Sequence, residues 1–333
     1  MLPILVDQER GGNVRILITG VGGFVGRHLF NTLSTQYPDA FLHGTALEQP
    51  SQKIGGGLQY HVVDLKNYAQ IYELIAEIQP DHIYHLAAQS SPRKSFAIPW
   101  ETLENNIKAQ LNIIQACLAL RLQPRILIIS SAEIYGPVRP DQQPINEDAP
   151  LRPTNPYGVS KVAQDMLGLQ YYLSHRLPIL RVRPFNHFGP GQSEGFVATD
   201  FAVQIARIEM GLQENVIEVG NLTAERDFTD VRDVVRAYAL IMEHGQPGEV
   251  YNVASGKPYS IQYLLDVLLK YSAANIQIRV DPARMLPVDV PIVRGDVSRL
   301  QALCNWQPTI PFETTVLDVL DDWRVRVQSA SRN

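Results

Sequence analysis

Residues 14–19, VRILIT, form a β-branched apolar run that breaks into glycines and then into an amphipathic stretch from Phe24 to about Gln36. A strand that turns through Gly20, Gly23 and Gly26 straight into a helix leaves few folds open. Glycine lets the backbone turn sharply and lets a phosphate come close. The helix start behind it presents unpaired N–H groups and the positive end of the helix dipole. Gly20, Gly23, Phe24, Val25 and Gly26 are therefore candidates to hold a nucleotide diphosphate. The spacing is G-x-x-G-x-x-G, where G-x-G-x-x-G is commoner. The reading thus rests on the strand–helix context, and a purely structural turn is the alternative.

The following residues keep alternating. Segments 40–45 and 59–63 have strand character, and Ile71, Leu74, Ile75 and Ile78 fall at helical spacing. Then come HIYHLAA as a strand, 106–120 as a helix and RILIIS as a strand. Near-continuous apolar strands such as ILIIS fit burial on both faces, as in a parallel sheet wrapped by helices. The fold class predicted is α/β, a Rossmann-type doubly wound parallel sheet with a smaller C-terminal substrate-binding lobe. The expected dinucleotide-binding domain is 14–188 with return segments near 230–254. Segments 189–229 and 255–330 form the second lobe. VRPDQQPINEDAPLRPTNP carries five prolines without a period and is read as a surface loop.

A length of 333 residues suffices for two lobes sharing a cleft. Apolar residues at 45% and charged residues at 19% exclude disorder as the main state. A formal charge of −5 argues against nucleic acid as a partner. Cys117 and Cys304 stand alone, outside any CxxC or Cys/His cluster, so neither a disulfide framework nor a metal site is expected. No stretch approaches the ~18 consecutive apolar residues of a membrane span, and MLPILVDQERGGN lacks the basic start of a secretory signal. No membrane association is expected, and the compartment expected is the cytoplasm.

The end of the second strand usually selects the cofactor, an acid for the ribose of NAD or an Arg for the 2′-phosphate of NADP. The stretch from His43 to Leu47 has neither, so the choice stays open. Asp64, followed by Leu65, stands after the third strand as a candidate acceptor for the adenine amino group, or as a loop cap.

Tyr157 and Lys161 are four residues apart behind Asn155, a suitable N-cap, and Pro156, which suits the first helical position. That spacing puts phenol and ammonium on one helix face. A phenol with a pKa of about 10 is a poor catalyst at neutral pH, but a nearby ammonium and a helix N-terminus favour the phenolate. The pair is a candidate for passing a proton to or from an alcohol or carbonyl oxygen. Ser130 and Ser131 follow ILII at a strand's C-terminal end, where ligands bind in such sheets. Ser131 is the better candidate to hydrogen-bond a substrate carbonyl. Glu133 is either a base for a proton next to a carbonyl or a solvated loop acid.

Together TGVGGFVGRHL, HLAAQSS, SSAEIYG, PYGVSK, RPFNHFGPGQ and RDFTDVRDV resemble the extended short-chain dehydrogenase/reductase (NAD-dependent epimerase/dehydratase) family, from Arg15 to about Trp323. The resemblance implies a nicotinamide cofactor, NAD(P)H, and a nucleotide-sugar substrate. It implies that Tyr157 exchanges the proton, Lys161 also holds the nicotinamide ribose, and Ser131 touches the 4-oxygen. Ala87 and Ala88 would line the cofactor cleft, and Asn106 would match the family's Asn of the central helix. On the substrate side it implies Ser90, Val197, Asn186 at the diphosphate, Arg226 at a phosphate, and Arg207 at phosphate or ribose. The family's usual Arg-Pro pair reads Leu286-Pro287 here, with Arg284 two residues earlier as the substitute.

The second half, including GFVATDFAVQIARIE and GNLTAERDFTDVRDV, is most similar to the branch of GDP-4-keto-6-deoxy-D-mannose reductases and somewhat less to GDP-mannose 4,6-dehydratases. The dehydratases usually carry Thr at Ser131 and a basic pair at Thr199 and Asp200. Glu133 occurs in both and does not decide. The expected reaction is reduction of a 4-keto-6-deoxy sugar, with a dehydratase, a 4-epimerase and a non-catalytic nucleotide sensor as alternatives. Helices near 97–120 and 156–174 are expected to pair with a second copy as a homodimer.

Overall fold

The computed structural model describes residues 13–49, 55–284 and 290–331. In it β1 (Arg15–Thr19) turns into α1 (Phe24–Gln36). The chain continues through β2 (Phe41–Ala46), β3 (Leu58–Val62), α2 (Tyr68–Ile78), β4 (His82–His85), α3 (Pro92–Ala97), α4 (Pro99–Ala119), β5 (Arg125–Ile129), α5 (Pro156–His175) and β6 (Ile179–Pro184). Next come β7 (Asn186–Phe188), α6 (Val197–Glu209), β8 (Val216–Val219), β9 (Glu225–Asp230), α7 (Val231–His244) and β10 (Val250–Val253). The last part holds β11 (Pro258–Ser260), α8 (Ile261–Lys270), β12 (Gln277–Val280), β13 (Ile292–Val293), α9 (Ser298–Cys304) and α10 (Phe312–Ala330).

Seven strands pair in parallel in the order β10-β6-β5-β4-β1-β2-β3. Strand side chains alternate between faces. Ile16, Ile18, Leu127, Leu180 and Val182 enter a core shared with α1 and α7. Leu17, Ile83, Ile126, Ile128 and Ile179 enter another shared with α2 and α4. Burial on both faces explains why these strands read as unbroken apolar runs. The order reverses between β1 and β4, which makes the C-terminal ends of that pair a crevice.

The second lobe has its own core, built from α6, α8 and α10 around Phe188, Phe228 and Phe312. Its strands form the order β11-β9-β13, with β7 also on β9, and the pair β12-β8. The chain crosses back to the first lobe at α7 and β10, and again at α9. Val297, Leu300 and Trp306 are buried in the first lobe's core, although the sequence reading assigned all of 255–330 to the second lobe. Leu300 and Trp306 fill space beside α7, and a short helix carries too little periodicity to reveal its partner.

Two local outcomes differ from the sequence reading. Helix α4 begins at Pro99, which suits the first turn; this is earlier than the 106–120 segment and in line with the 97–120 span read for the dimer face. The proline-rich stretch, read as a surface loop, is partly buried and pinned to β10. Ile145 and Glu147 are buried, Asn252 Nδ2 donates to Ile145 O at 2.9 Å, and Asn252 N donates to Glu147 Oε1 at 2.8 Å.

Candidate active site

The glycine turn lies at the crevice between β1 and β4. Gly20 has φ +71°, and a Cβ there would stand 3.0 Å from Ala87 N and Cα, so two backbones meet at this point. A Cβ on Gly26 would lie 2.4 Å from Gly20 O, so only glycine lets α1 start this close to the turn. Gly23 is the N-cap and is exposed, without a side-chain cap bond. The first-turn N–H groups, Phe24 and Val25 included, therefore stay open to an anion. Thr19 Oγ1 accepts from Ala87 N at 3.2 Å and bonds His85 Nδ1 at 2.9 Å, which locks the ends of β1 and β4 together. Ala87 and Ala88 add only methyl groups to this half-buried wall.

These features fit a dinucleotide. The diphosphate would rest on residues 23–26, and the ring systems would lie along Ala87 and Ala88. Asp64 Oδ1 accepts from Lys66 N at 2.9 Å, and its other oxygen remains for an adenine amino group. Leu65 is buried, and its carbonyl accepts from Asn112 Nδ2 at 2.8 Å. Asn106 sits behind the Ala87–Ala88 wall on α4. Its Oδ1 accepts from Gln89 N at 2.7 Å, while Nδ2 donates to Gln89 O at 3.1 Å and Ser160 Oγ at 2.9 Å. This fully buried amide ties the loop after β4 to α5.

Helix α5 carries the candidate catalytic residues. Asn155 Oδ1 accepts from Gly158 N at 2.7 Å, and Pro156 opens the first turn. One turn apart, Tyr157 and Lys161 are 8% and 4% exposed. Lys161 Nζ donates to Ile129 O at 2.8 Å and lies 5.8 Å from the Tyr157 ring centre. The Tyr157 hydroxyl is hydrogen-bonded to the Ser131 side chain. Ser131 Oγ also accepts from Glu133 N at 3.2 Å. Ser130 faces inward instead, its hydroxyl donating to Lys161 O at 3.3 Å. Glu133 is exposed, and its Oε2 accepts from Asn155 Nδ2 at 2.9 Å.

Burial dominates the electrostatics of both groups in the ligand-free protein. Burial pushes the Tyr157 phenol up to about 12; the Ser131 hydrogen bond opposes this, and the Glu133 charge adds to it. Burial thus favours the neutral phenol in the ligand-free site. Burial also pulls Lys161 down to about 7. An unfolded lysine keeps its proton to about 10.5. Between those values the unfolded chain binds the extra proton, so this group makes the free protein more stable as pH rises from about 7 to about 10. Below 7 its cost is in full force. Urea denaturation at pH 7 and 9 should show this slope in the wild type and its loss in Lys161→Met. An unchanged slope in the variant would show that the ammonium is not buried.

Around the second lobe, Asn186 is exposed at the start of β7, and Val197 is half-buried in the first turn of α6. Ser90 is exposed after the Ala87–Ala88 wall. Arg207 pairs with Glu194 at 3.0 Å in an exposed ion pair. Arg226 Nη1 donates to Glu225 O at 2.9 Å and Val290 O at 2.7 Å, tying β9 to the segment before β13. The Arg284 side chain, Leu286 and Pro287 lie outside the described residues. Among the described residues no three His, Cys, Asp or Glu side chains cluster as metal donors.

Sequence reasoning missed a contact between α1 and the segment around β7. The Phe24 ring lies nearly parallel to His187, 6.3 Å between centres and 6° apart, and His28 Nε2–H donates to Pro190 O at 2.8 Å. The loop after β7 therefore rests on the first turns of α1. No periodicity could reveal this, because the partners are about 160 residues apart; only the aromatic at the first helical position hints at it.

The sequence profile described as GDP-mannose 4,6 dehydratase matches residues 17–319. GDP-6-deoxy-D-mannose reductase of Pseudomonas aeruginosa is 38% identical over 94% of this chain and 98% of its own length. GDP-mannose 4,6 dehydratase 2 of Arabidopsis thaliana is 29% identical over 80% of this chain and 71% of its own. The solved structure of RMD from Pseudomonas aeruginosa complexed with NADPH superposes with a TM-score of 0.82 at 36% identity, covering 94% of this chain and 100% of that one. A seven-stranded parallel sheet, a glycine turn at its switch point and a buried Tyr–Lys pair agree with that match over nearly the whole length, and the chain belongs to the GDP-mannose 4,6 dehydratase family.

Proposed function

We propose that the chain is a nicotinamide-dependent reductase of a nucleotide-linked 4-keto-6-deoxy sugar, GDP-4-keto-6-deoxy-D-mannose, giving GDP-D-rhamnose. The arrangement that carries the reading is Tyr157 and Lys161 buried one turn apart on α5, with the Tyr157 hydroxyl beside Ser131 at the C-terminal end of β5. Similarity to the Pseudomonas reductase over both chains' length supports the same reaction, and that relative's bound NADPH supports the cofactor class.

When bound, a reduced nicotinamide supplies hydride to carbon 4 of the sugar. The chain's own residues do the rest. Ser131 donates a hydrogen bond to the 4-keto oxygen and polarises it. Tyr157 delivers its proton to that oxygen as negative charge develops there. Lys161, with one donor on Ile129 O, keeps others for ribose hydroxyls and balances the phenolate left behind. The second lobe, through Asn186, Arg226 and Arg207, binds the nucleoside diphosphate and fixes the reacting carbon at distance.

A dehydratase reading has one observation in its favour. Asn155 holds the Glu133 carboxylate two residues from Ser131, where a base for carbon 5 would be needed. Purified chain given GDP-4-keto-6-deoxy-D-mannose and reduced cofactor should oxidise one cofactor per sugar. Conversion of GDP-mannose to the keto sugar without net cofactor change would replace this reading by the dehydratase.

Two finer features belong to the same proposal. Trp100 on α4, and Val159, Met166 and Leu173 on α5, are large apolar side chains left exposed on packed neighbouring helices. They fit a homodimer built on α4 and α5. No helix among the described residues is long and apolar enough to cross a membrane, and we place the enzyme in the cytoplasm with its water-soluble substrate.

A further inference from the structure

The cofactor's adenosine ribose carries either a free 2′-hydroxyl or a 2′-phosphate. Doubly wound folds choose at the end of the second strand, where a carboxylate takes the hydroxyl and an arginine takes the phosphate. Strand β2, FLHGTA, contains neither. The structure brings an arginine to that point from α1. Helical side chains lean toward the N-terminal end of their helix. Arg27, one turn into α1, folds back over the glycine turn, its Nε donating to Gly22 O at 3.1 Å.

Gly22 faces the exits of β2 and β3. A Cβ on it would stand 3.9 Å from Ala46 Cβ and 3.6 Å from Tyr60 Oη. The Arg27 charge reaches Tyr60 and draws its phenol down, against the upward push of burial. Tyr60 Oη in turn donates to Glu48 O at 3.0 Å and fixes the chain as it leaves β2. Arg27 is exposed, and among the described residues the rest of its guanidinium fork has no hydrogen-bond or ion-pair partner. A fork anchored by one N–H and free at the others suits the three oxygens of a phosphate monoester.

We propose that Arg27 binds the 2′-phosphate of the dinucleotide, so that the chain selects the phosphorylated cofactor with a residue of α1 in place of one from β2. This rests on the dinucleotide reading of the glycine turn. Titration calorimetry of the full chain with NADPH and NADH tests it, with adenosine 2′,5′-bisphosphate and 5′-AMP as fragments. Wild type should bind the phosphorylated member of each pair more tightly. Arg27→Ala should lose about 10- to 100-fold on NADPH and the bisphosphate, with NADH little changed, as expected for hydrogen bonds to a charged group. Arg27→Lys should restore part of the loss, as a charge without the fork. An Arg27→Ala variant with an unchanged NADPH to NADH ratio overturns the proposal. Tighter binding of NADH than NADPH by the wild type also overturns it and points to Glu48. Wild type that binds neither dinucleotide overturns the reading of the glycine turn itself, and this proposal with it.

Discussion

Tyr157→Phe should cut turnover by about 10²- to 10⁴-fold, the range for removing a general acid, while dinucleotide binding stays nearly unchanged. The ring sits at 8% exposure and the substitution keeps its volume, so packing on α5 survives. Only the hydroxyl goes, and with it the hydrogen bond to Ser131 and the proton that the carbonyl oxygen needs. Single-turnover cofactor oxidation, with a binding titration alongside, separates the two effects. Weak binding with a normal rate in the bound complex would contradict the role assigned here.

Asp165→Ala should destabilise the protein by about 3–5 kcal/mol, the usual cost of stripping one partner from a buried ion pair. Asp165 is fully buried, and both Arg181 and Arg183 converge on it, at 2.7 Å and 2.9 Å. Without the carboxylate two guanidinium groups stay in the interior with their main counter-charge removed. Arg183 also donates to Tyr135 Oη at 3.1 Å and Glu147 O at 2.7 Å, so the disturbance spreads to the proline-rich segment. Asp165 is one helical turn past Lys161 on the same helix as the candidate Tyr157–Lys161 pair. Urea denaturation of the variant measures the loss; a change below about 1 kcal/mol would show that the three charges do not depend on one another.

The first lobe was legible because its signals are local. The strand–glycine–helix junction and the both-faces-apolar strands each lie within a short window. The Asn155 cap and the i,i+4 pair do as well. The interactions that tune the site are long-range. Asn106 was assigned to the cofactor from resemblance, but its partners are Gln89 and Ser160, 17 and 54 residues away. Burial raises the Tyr157 phenol and lowers the Lys161 ammonium, and a sequence does not print burial at single-residue detail. The Asp165 anchor did leave a trace. Two arginines inside the otherwise apolar PILRVRPF had to find a buried counter-charge, and that constraint was available before any coordinates.

The threading of the chain between lobes has an evolutionary consequence. Because α7, β10 and α9 come from beyond residue 230 yet complete the first lobe, a cut at residue 189 would strip the large sheet of its β10 edge and of the α7 that covers one face. A half exchanged with a relative's at that point would have to bring α7, β10 and α9 with it, so the architecture that supports the second lobe is held in common with the cofactor side.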